Sequence, residues 1–594
     1  MTQVVCAWLR NDLRVHDSIV LHKASELARQ NNLPVLPVYI LDPRHFRFSK
    51  YKTLKTGPIR ALFLLQSIRA LKQRLRHMGS DLLVRIGTPE EVLPTLLSSG
   101  SSVFTQQEVT SEELMVDKRV RRALGDKIQW EYCWGSTLFH KDDLPFQPSL
   151  QDMPDVYTLF KNKAEPELAC KANTVPPTFN DAQKLESQMK VRPCLPLLEF
   201  GSLPLPEFEQ ALLDFIPEWD DLPFPEKIDS PKKVEGAALD FQGGEEAGLE
   251  RLRYYFQQTA LISTYFDTRN EMLGSDYSTK FAPWLAYGCL SPRMVFQLLR
   301  EYEIKHAASK STYWILFALG ARDFFRFFAA KHGDAIFREG GVLGNVQTWK
   351  GSDVEFELWC QGRTGFPFVD ANMRELRATG FMSNRGRQNV ASFLIFDLGV
   401  DWRRGADWFE SCLIDYDVTA NWCNWVFAAG LTGGRINRFN ILRQAKNYDP
   451  DGAYVRHWVS ELRDVPNSFI HEPWLMSEKQ RIDSHALQYP SPCIEPSVFP
   501  SGVGPVPVQL QGLKGRGKSM SHDQDGQTSS RHRRRGKGGG IDSPLEALQV
   551  SPDNVQPVLD ETRSSTTRRW KSKQSKPSER DESNDFLGPD WLRQ

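Results

Sequence analysis

The sequence predicts a doubly wound parallel-sheet α/β domain, then an all-α domain, then a disordered polar tail. Three observations carry this. Short runs rich in Val, Ile and aromatics alternate with helical periodicity over the first 140 residues. From about 236 the pattern turns almost wholly helical, and after Pro490 it collapses into Pro, Gly, Ser, Gln and charge. The expected boundaries are 1–140, a connector over 141–235, a helical domain over 236–490 and a tail over 491–594.

The strands expected in the first domain are VVCAWL, PVLPVYILD, DLLVRIG, SSVFTQQ and KIQWEYC. Such runs read as parallel strands buried on both faces. The clearest helix between them is PIRALFLLQSIRALKQRLRHMG, with Pro58 to start it and Gly79 to stop it. After the first strand stands LRNDLRVHD rather than G-x-G-x-x-G, which argues against ordinary dinucleotide binding there. The connector is Pro-rich (LPFQPSLQDMPD, TVPPTF, LPLPEF) and is expected to wrap one domain onto the other.

Lys+Arg and Asp+Glu both number 74 in 594 residues, so bulk charge draws the chain to neither nucleic acid nor membrane. The nine cysteines are scattered without a C-x-x-C, which fits a reducing compartment and neither a disulfide scaffold nor a zinc site. No apolar run reaches 18 residues and no transit peptide is evident at MTQVVCAWLR, so a cytoplasmic or nuclear location is expected. The tail holds 16 basic against 12 acidic residues over 511–594, focused at RHRRRGKGGG. That cluster reads as a nuclear address, a single-stranded DNA or RNA clamp, or a solvated run. GLKGRGKS (512–519) matches the phosphate-loop pattern, but no helical pattern follows it to receive a phosphate, so it reads as a decoy.

The chemistry concentrates in the helical half. In DYDVTANWCNW (415–425), a helix beginning near Asp417 puts Asp417, Asn421 and Trp425 on one face. In TGFMSNRGRQNVASFL, Asn384, Arg387 and Gln388 share a face, while Val390, Phe393 and Leu394 point to a core. ARDFFRFF adds Arg322 among aromatics. Buried salt bridges, Arg387 with Asp415 for instance, would explain part of this set. Burying so many polar groups among aromatics is costly unless a ligand also uses them, and a planar ligand with imide and phosphate groups would.

The motifs WLRNDLRVHD, DYSTKFAPWLAYGCLSPR, WCQGRTGFPFVDANMRELRATGFMSNRGRQ, DWRRGADWFESCLIDYDVTANWCNW and YVRHWVSELRDVP together resemble the photolyase/cryptochrome family. NRGRQ and the surroundings of Trp425 resemble its cryptochrome-DASH branch most. The resemblance runs from about residue 3 to 475 and implies an α/β antenna domain and a helical domain holding bent FAD. It implies a phosphate and ribose clamp of Tyr265, Ser278, Thr279, Lys280 and Phe281. It also implies an isoalloxazine edge of Arg322, Asn384, Arg387, Asp415, Asp417 and Asn421, with Asn421 the partner of flavin N5. An amide can donate or accept as N5 changes protonation. Trp425, Trp402 and Trp349 match the family's electron-transfer chain, inner to outer, although tryptophans of a helical domain are mostly core. Glu108 in QQEVT matches the acid that grips an antenna 5,10-methenyltetrahydrofolate, against the simpler reading of a solvated or capping residue.

The chain departs from the family's repair enzymes at three places. Ala318 and Ala321 stand where those enzymes carry a base-reading Glu and a stacking Trp, and Phe427 where they carry Trp or Tyr. Stacking is worth about 1–3 kcal/mol per base. The resemblance therefore implies a blue-light photoreceptor whose flavin is photoreduced through tryptophans. The alternative is a light-driven cyclobutane pyrimidine dimer lyase acting on single-stranded DNA, and a third reading is a flavoprotein that only binds nucleic acid through its tail. A monomer is expected; the signalling partner is unknown.

Overall fold

The computed structural model describes residues 3–165, 191–198, 205–206, 210–434, 436 and 438–496. The decoy phosphate loop, the basic cluster and most of the tail lie outside the described residues, as does part of the connector.

Five parallel strands form the N-terminal sheet: β1 (Val5–Leu9), β2 (Val35–Leu41), β3 (Leu83–Ile86), β4 (Ser102–Gln106) and β5 (Gln129–Cys133), in the order β3-β2-β1-β4-β5. Val5 of β1 lies opposite Val35 on one side and Ser102 on the other, so β1 is central. Every residue of β1, β2 and β4 is buried, the outcome expected of strands covered on both faces. Helices α1 (Ile19–Asn31), α2 (Pro58–His77) and α3 (Ser111–Leu124) lie in three of its four crossovers and cover it. The strand order reverses between β1 and β4, where open α/β sheets place their functional loops.

Past α4 (Tyr157–Ala164), the chain is helical: α5 (Pro292–His306), α6 (Lys310–His332), α7 (Asp353–Gln361), α8 (Pro367–Thr379), α9 (Asn384–Ser392), α10 (Trp402–Cys412) and α11 (Val418–Ala428) are its main elements. Helix α6 is the axis of this domain. A reciprocal Ser309/Thr312 cap starts it, and its phenylalanines are buried. No helix of the described residues is long and apolar enough to cross a membrane.

The sheet and the helices share one core, and polar clamps set their register. Arg293 on α5 makes a bidentate pair with Asp17 at 2.7 and 2.9 Å. Gly288 has φ +63°, and a Cβ there would fall 2.1 Å from the Asn11 carbonyl oxygen, so no other residue allows this approach. On α6, Asp323 accepts from the Leu138 and Phe139 amides (3.1 and 2.8 Å). Arg322 donates to the Ser136 and Leu285 carbonyls. The loops beyond β4 and β5 thus fix the rotation of α6, and with it the wall of the cavity described next.

Candidate functional site

Helices α6, α9 and α11, with the segment 277–286 before α5, enclose a cavity of about 410 Å³. All eleven residues expected to hold FAD line it: Tyr265, Ser278, Thr279, Lys280, Phe281, Arg322, Asn384, Arg387, Asp415, Asp417 and Asn421. Trp425 lines it as well.

Local sequence explains how each group arrives. Asp417 is the N-cap of α11, its Oδ1 accepting from the Ala420 amide at 2.8 Å and from the Thr419 hydroxyl at 2.6 Å. The cap fixes the start of α11, so Asn421 and Trp425 follow one and two turns later on the same side. Ser383 caps α9 in the same manner, which orients Asn384 and Arg387. The Arg387–Asp415 ion pair exists, at 2.8 Å, and ties α9 to the turn before α11. It uses only one carboxylate oxygen; the other, Oδ1, is buried without a partner among the described residues.

That orphaned oxygen is one of several such atoms on cavity-lining residues. Gln388 Nε2, Lys280 Nζ and the Tyr277 hydroxyl are others, all buried and without a hydrogen-bond partner among the described residues. The set includes an acceptor, a neutral donor and a cation, which fits a ligand bearing an imide-type edge and an anionic group. Lys280 is the most informative. Its backbone is left-handed (φ +56°), and burial, helped by Arg251, pushes its ammonium down to about 7. Asn421 donates its amide to the Ala406 carbonyl at 2.9 Å, which leaves Oδ1 as its acceptor. Behind this row Glu375 accepts from the Tyr454 hydroxyl at 2.6 Å, and burial raises its carboxyl to about 8. The residues present therefore fit FAD: Lys280 and its neighbours would hold the phosphates, and Arg387, Gln388, Asp415 and Asn421 the ring edge.

Trp402 and Trp349 do not line the cavity. Trp402 is fully buried at the start of α10 and donates to the Glu339 carbonyl at 3.2 Å. Trp349 is partly buried in a segment held by two amides donated to the Gly399 carbonyl. Trp425 is edge-on to Phe409 (5.1 Å) and to Trp359 (6.3 Å). Glu108 is 4% exposed, two residues past β4, and paired with Arg326 of α6 at 3.1 Å, so it is neither solvated nor a cap.

Ala318 and Ala321 both line the cavity; Ala318 is exposed at the rim and Ala321 is buried in the wall. Phe427 takes no part in the wall, packing instead on Phe324 and Phe328 of α6 at 6.0 and 5.1 Å. Its expected contribution to weak dimer binding is therefore corrected, because the side chain belongs to the core. Sequence reasoning missed Arg269, Tyr277, Trp314 and Asn424, which also line the cavity. Tyr277 had a usable signal, being adjacent to the Ser278–Phe281 block. Arg269 and Trp314 are far apart in sequence and meet only in the fold, the guanidinium 4.4 Å from the ring centroid.

Comparison with known proteins agrees with this architecture. Residues 5–179 match the DNA photolyase family model, and residues 314–498 match the FAD binding domain of DNA photolyase. The chain belongs to the photolyase/cryptochrome family and carries its FAD-binding domain. Within the family it is a homologue of cryptochrome DASH. It is 45% identical to the chloroplastic/mitochondrial cryptochrome DASH of Ostreococcus tauri, over 82% of this chain and 89% of that protein. It is 42% identical to cryptochrome DASH of Xenopus laevis, over 90% and 97%. A solved Synechocystis cryptochrome superposes with a TM-score of 0.74 at 42% identity, covering 83% of this chain and 97% of that one.

Proposed function

We propose that this chain is a blue-light photoreceptor of the cryptochrome DASH type. Bound FAD supplies a light-excited one-electron acceptor. Trp425 gives up an electron, Trp402 refills it, and Trp349 is the outer donor. The observation that carries this reading is the cavity wall itself. It combines orphaned flavin-type partners and Trp425 with an alanine at the rim and another in the wall, where a repair enzyme needs an acid and a ring.

Asn421 and the open rim at Ala318 favour a second reading, light-driven splitting of cyclobutane dimers in single-stranded DNA. An unpaired strand costs less to open, and its dimer could be extruded into the cavity. The test is repair of a dimer in a single-stranded oligonucleotide under blue light with the flavin fully reduced. Turnover makes the protein a lyase; no turnover with intact photoreduction makes it a receptor.

Three narrower assignments accompany this. We infer an antenna 5,10-methenyltetrahydrofolate beside Glu108, supported by that carboxylate's place two residues past β4 and its ion pair with Arg326 of α6. Co-purifying pterin absorbance, lost in Glu108→Ala, tests it. We infer domains over 1–140 and 236–490, testable by limited proteolysis, and a monomer, testable by light scattering. A cytoplasmic or nuclear location is tested by imaging the whole chain, since the Ostreococcus relative carries a chloroplastic/mitochondrial name.

A further inference from the structure

The indoles around Trp425 differ in what their N–H groups face. Trp402 and Trp359 donate to backbone carbonyls, of Glu339 at 3.2 Å and Val390 at 3.1 Å. Trp422 donates to a carboxylate, Oε2 of Glu410, at 3.3 Å. Its ring meets Trp402 edge to face, with centroids 6.0 Å apart and planes at 76°. Trp422 is buried between α11 and α10, with Phe337 on another side at 5.1 Å.

The distinction matters because an indole that has lost an electron becomes a strong N–H acid. A carbonyl cannot take that proton under ordinary conditions, whereas a carboxylate can. We propose that Trp422 and Glu410 form a proton-coupled side branch of the tryptophan chain, a redox site distinct from Trp349. The proposal rests on the photoreduction reading above. One electron passes from Trp422 to oxidised Trp402, and one proton passes from Trp422 Nε1 to Glu410 Oε2, leaving a neutral indolyl radical beside a carboxylic acid. On charge return the electron comes back along the same rings and Glu410 returns the proton. No outside reductant is consumed in that cycle.

The surroundings of Glu410 suit an internal proton acceptor. It is 6% exposed, so the proton is not lost at once to water. Lys55 Nζ lies 3.7 Å from Oε1 but is also paired with Glu112, which divides its field. Asp407 one turn earlier on α10 and Tyr416 also face the carboxylate. Trp359 has no such arrangement. Its neighbour Phe356 carries the Arg404 guanidinium 4.1 Å from the ring centroid, a positive charge that disfavours a second one on the adjacent indole.

The experiment uses the full chain with FAD bound, as wild type, W422F and E410Q. Flash absorption reads the tryptophan radical and light-minus-dark infrared reads the carboxylic acid carbonyl. In wild type we expect a neutral radical that forms more slowly in D₂O, together with a new acid carbonyl band. E410Q keeps the neighbour's hydrogen bond but loses the band and holds the radical in its cation form. W422F loses both the acid carbonyl band and the neutral radical of that indole, while the route through Trp425, Trp402 and Trp349 remains. Photoreduction with the same radical and band in all three proteins would overturn the branch alone. Absence of any tryptophan radical in wild type would overturn the photoreduction reading as well.

Discussion

Lys280 holds its ammonium 3.4 Å from the centroid of the Tyr277 ring, buried and without a hydrogen-bond partner among the described residues. Burial and Arg251 push it down to about 7, against roughly 10.4 in an unfolded chain. Between those values the unfolded chain holds the extra proton, so stability of the FAD-free protein should rise with pH from about 7 to about 10. Lys280→Met should flatten that rise. Saturating FAD should flatten it in wild type too, since a phosphate beside Nζ restores the charge. Urea midpoints across pH for the three samples check this. The substitution should also weaken FAD by about 10–100-fold, the worth of one charge-assisted contact of about 1.5–3 kcal/mol.

Asp417 both caps α11 and faces the cavity. Burial raises its carboxyl, but Arg322 and Arg326 outweigh this and hold it below the ordinary range. Asp417→Ala should cost about 1–2 kcal/mol through the lost cap. Asp417→Asn keeps the cap and removes only the charge. A carboxyl with a depressed folded pKa contributes stability above its unfolded value of about 3.9 and loses it as pH falls through the folded value. The stability gap between wild type and D417N should therefore be full at neutral pH and close below about pH 4. A gap that persists in acid would mean the arginines do not act through charge.

Ala318 stands at the rim of the cavity and Ala321 in its wall. Introducing Glu at the first and Trp at the second should raise affinity for a dimer-bearing single strand by about 5–150-fold, the worth of about 1–3 kcal/mol of stacking. Ala321 is buried, so the larger ring should also lower stability by about 1–3 kcal/mol. Anisotropy with damaged and undamaged oligonucleotides separates the two effects. An equal gain for both would show that the rim reads no lesion.

β1 and β2 were legible because they are apolar throughout, as doubly covered strands are, whereas β5 is exposed at alternate residues and its burial on both faces was not met. The start of α11 was legible because Asp417 is a capping residue ahead of an apolar run. The cavity lining was legible where long collinear motifs carried it, and not where Arg269 meets Trp314 across the fold. Phe427 was misread because position in a motif does not say which side of a helix faces the ligand. Trp422 escaped notice for the opposite reason: it lies in a quoted motif, but its partner Glu410 is defined only by how α10 packs on α11.

That packing depends on Gly405. A Cβ there would sit 2.3 Å from Trp425 Cη2 and 2.5 Å from Leu394 Cδ2, so α10 lies directly against the innermost indole. Replacing a mid-helix glycine by alanine normally stabilises by about 1 kcal/mol. Here the added methyl has no room, and overpacking costs about 1–3 kcal/mol. Gly405→Ala should therefore destabilise, or at best leave stability level, against the propensity trend. The indole must also tilt away from α10, toward or across the cavity, which changes its distance to the flavin. Photoreduction in blue light should slow several-fold, while the Lys280 end of the cavity, and so most FAD affinity, is untouched. Thermal unfolding, FAD titration and photoreduction of the same sample give the three readings. A more stable variant with unaltered photoreduction would show that Trp425 does not depend on this contact.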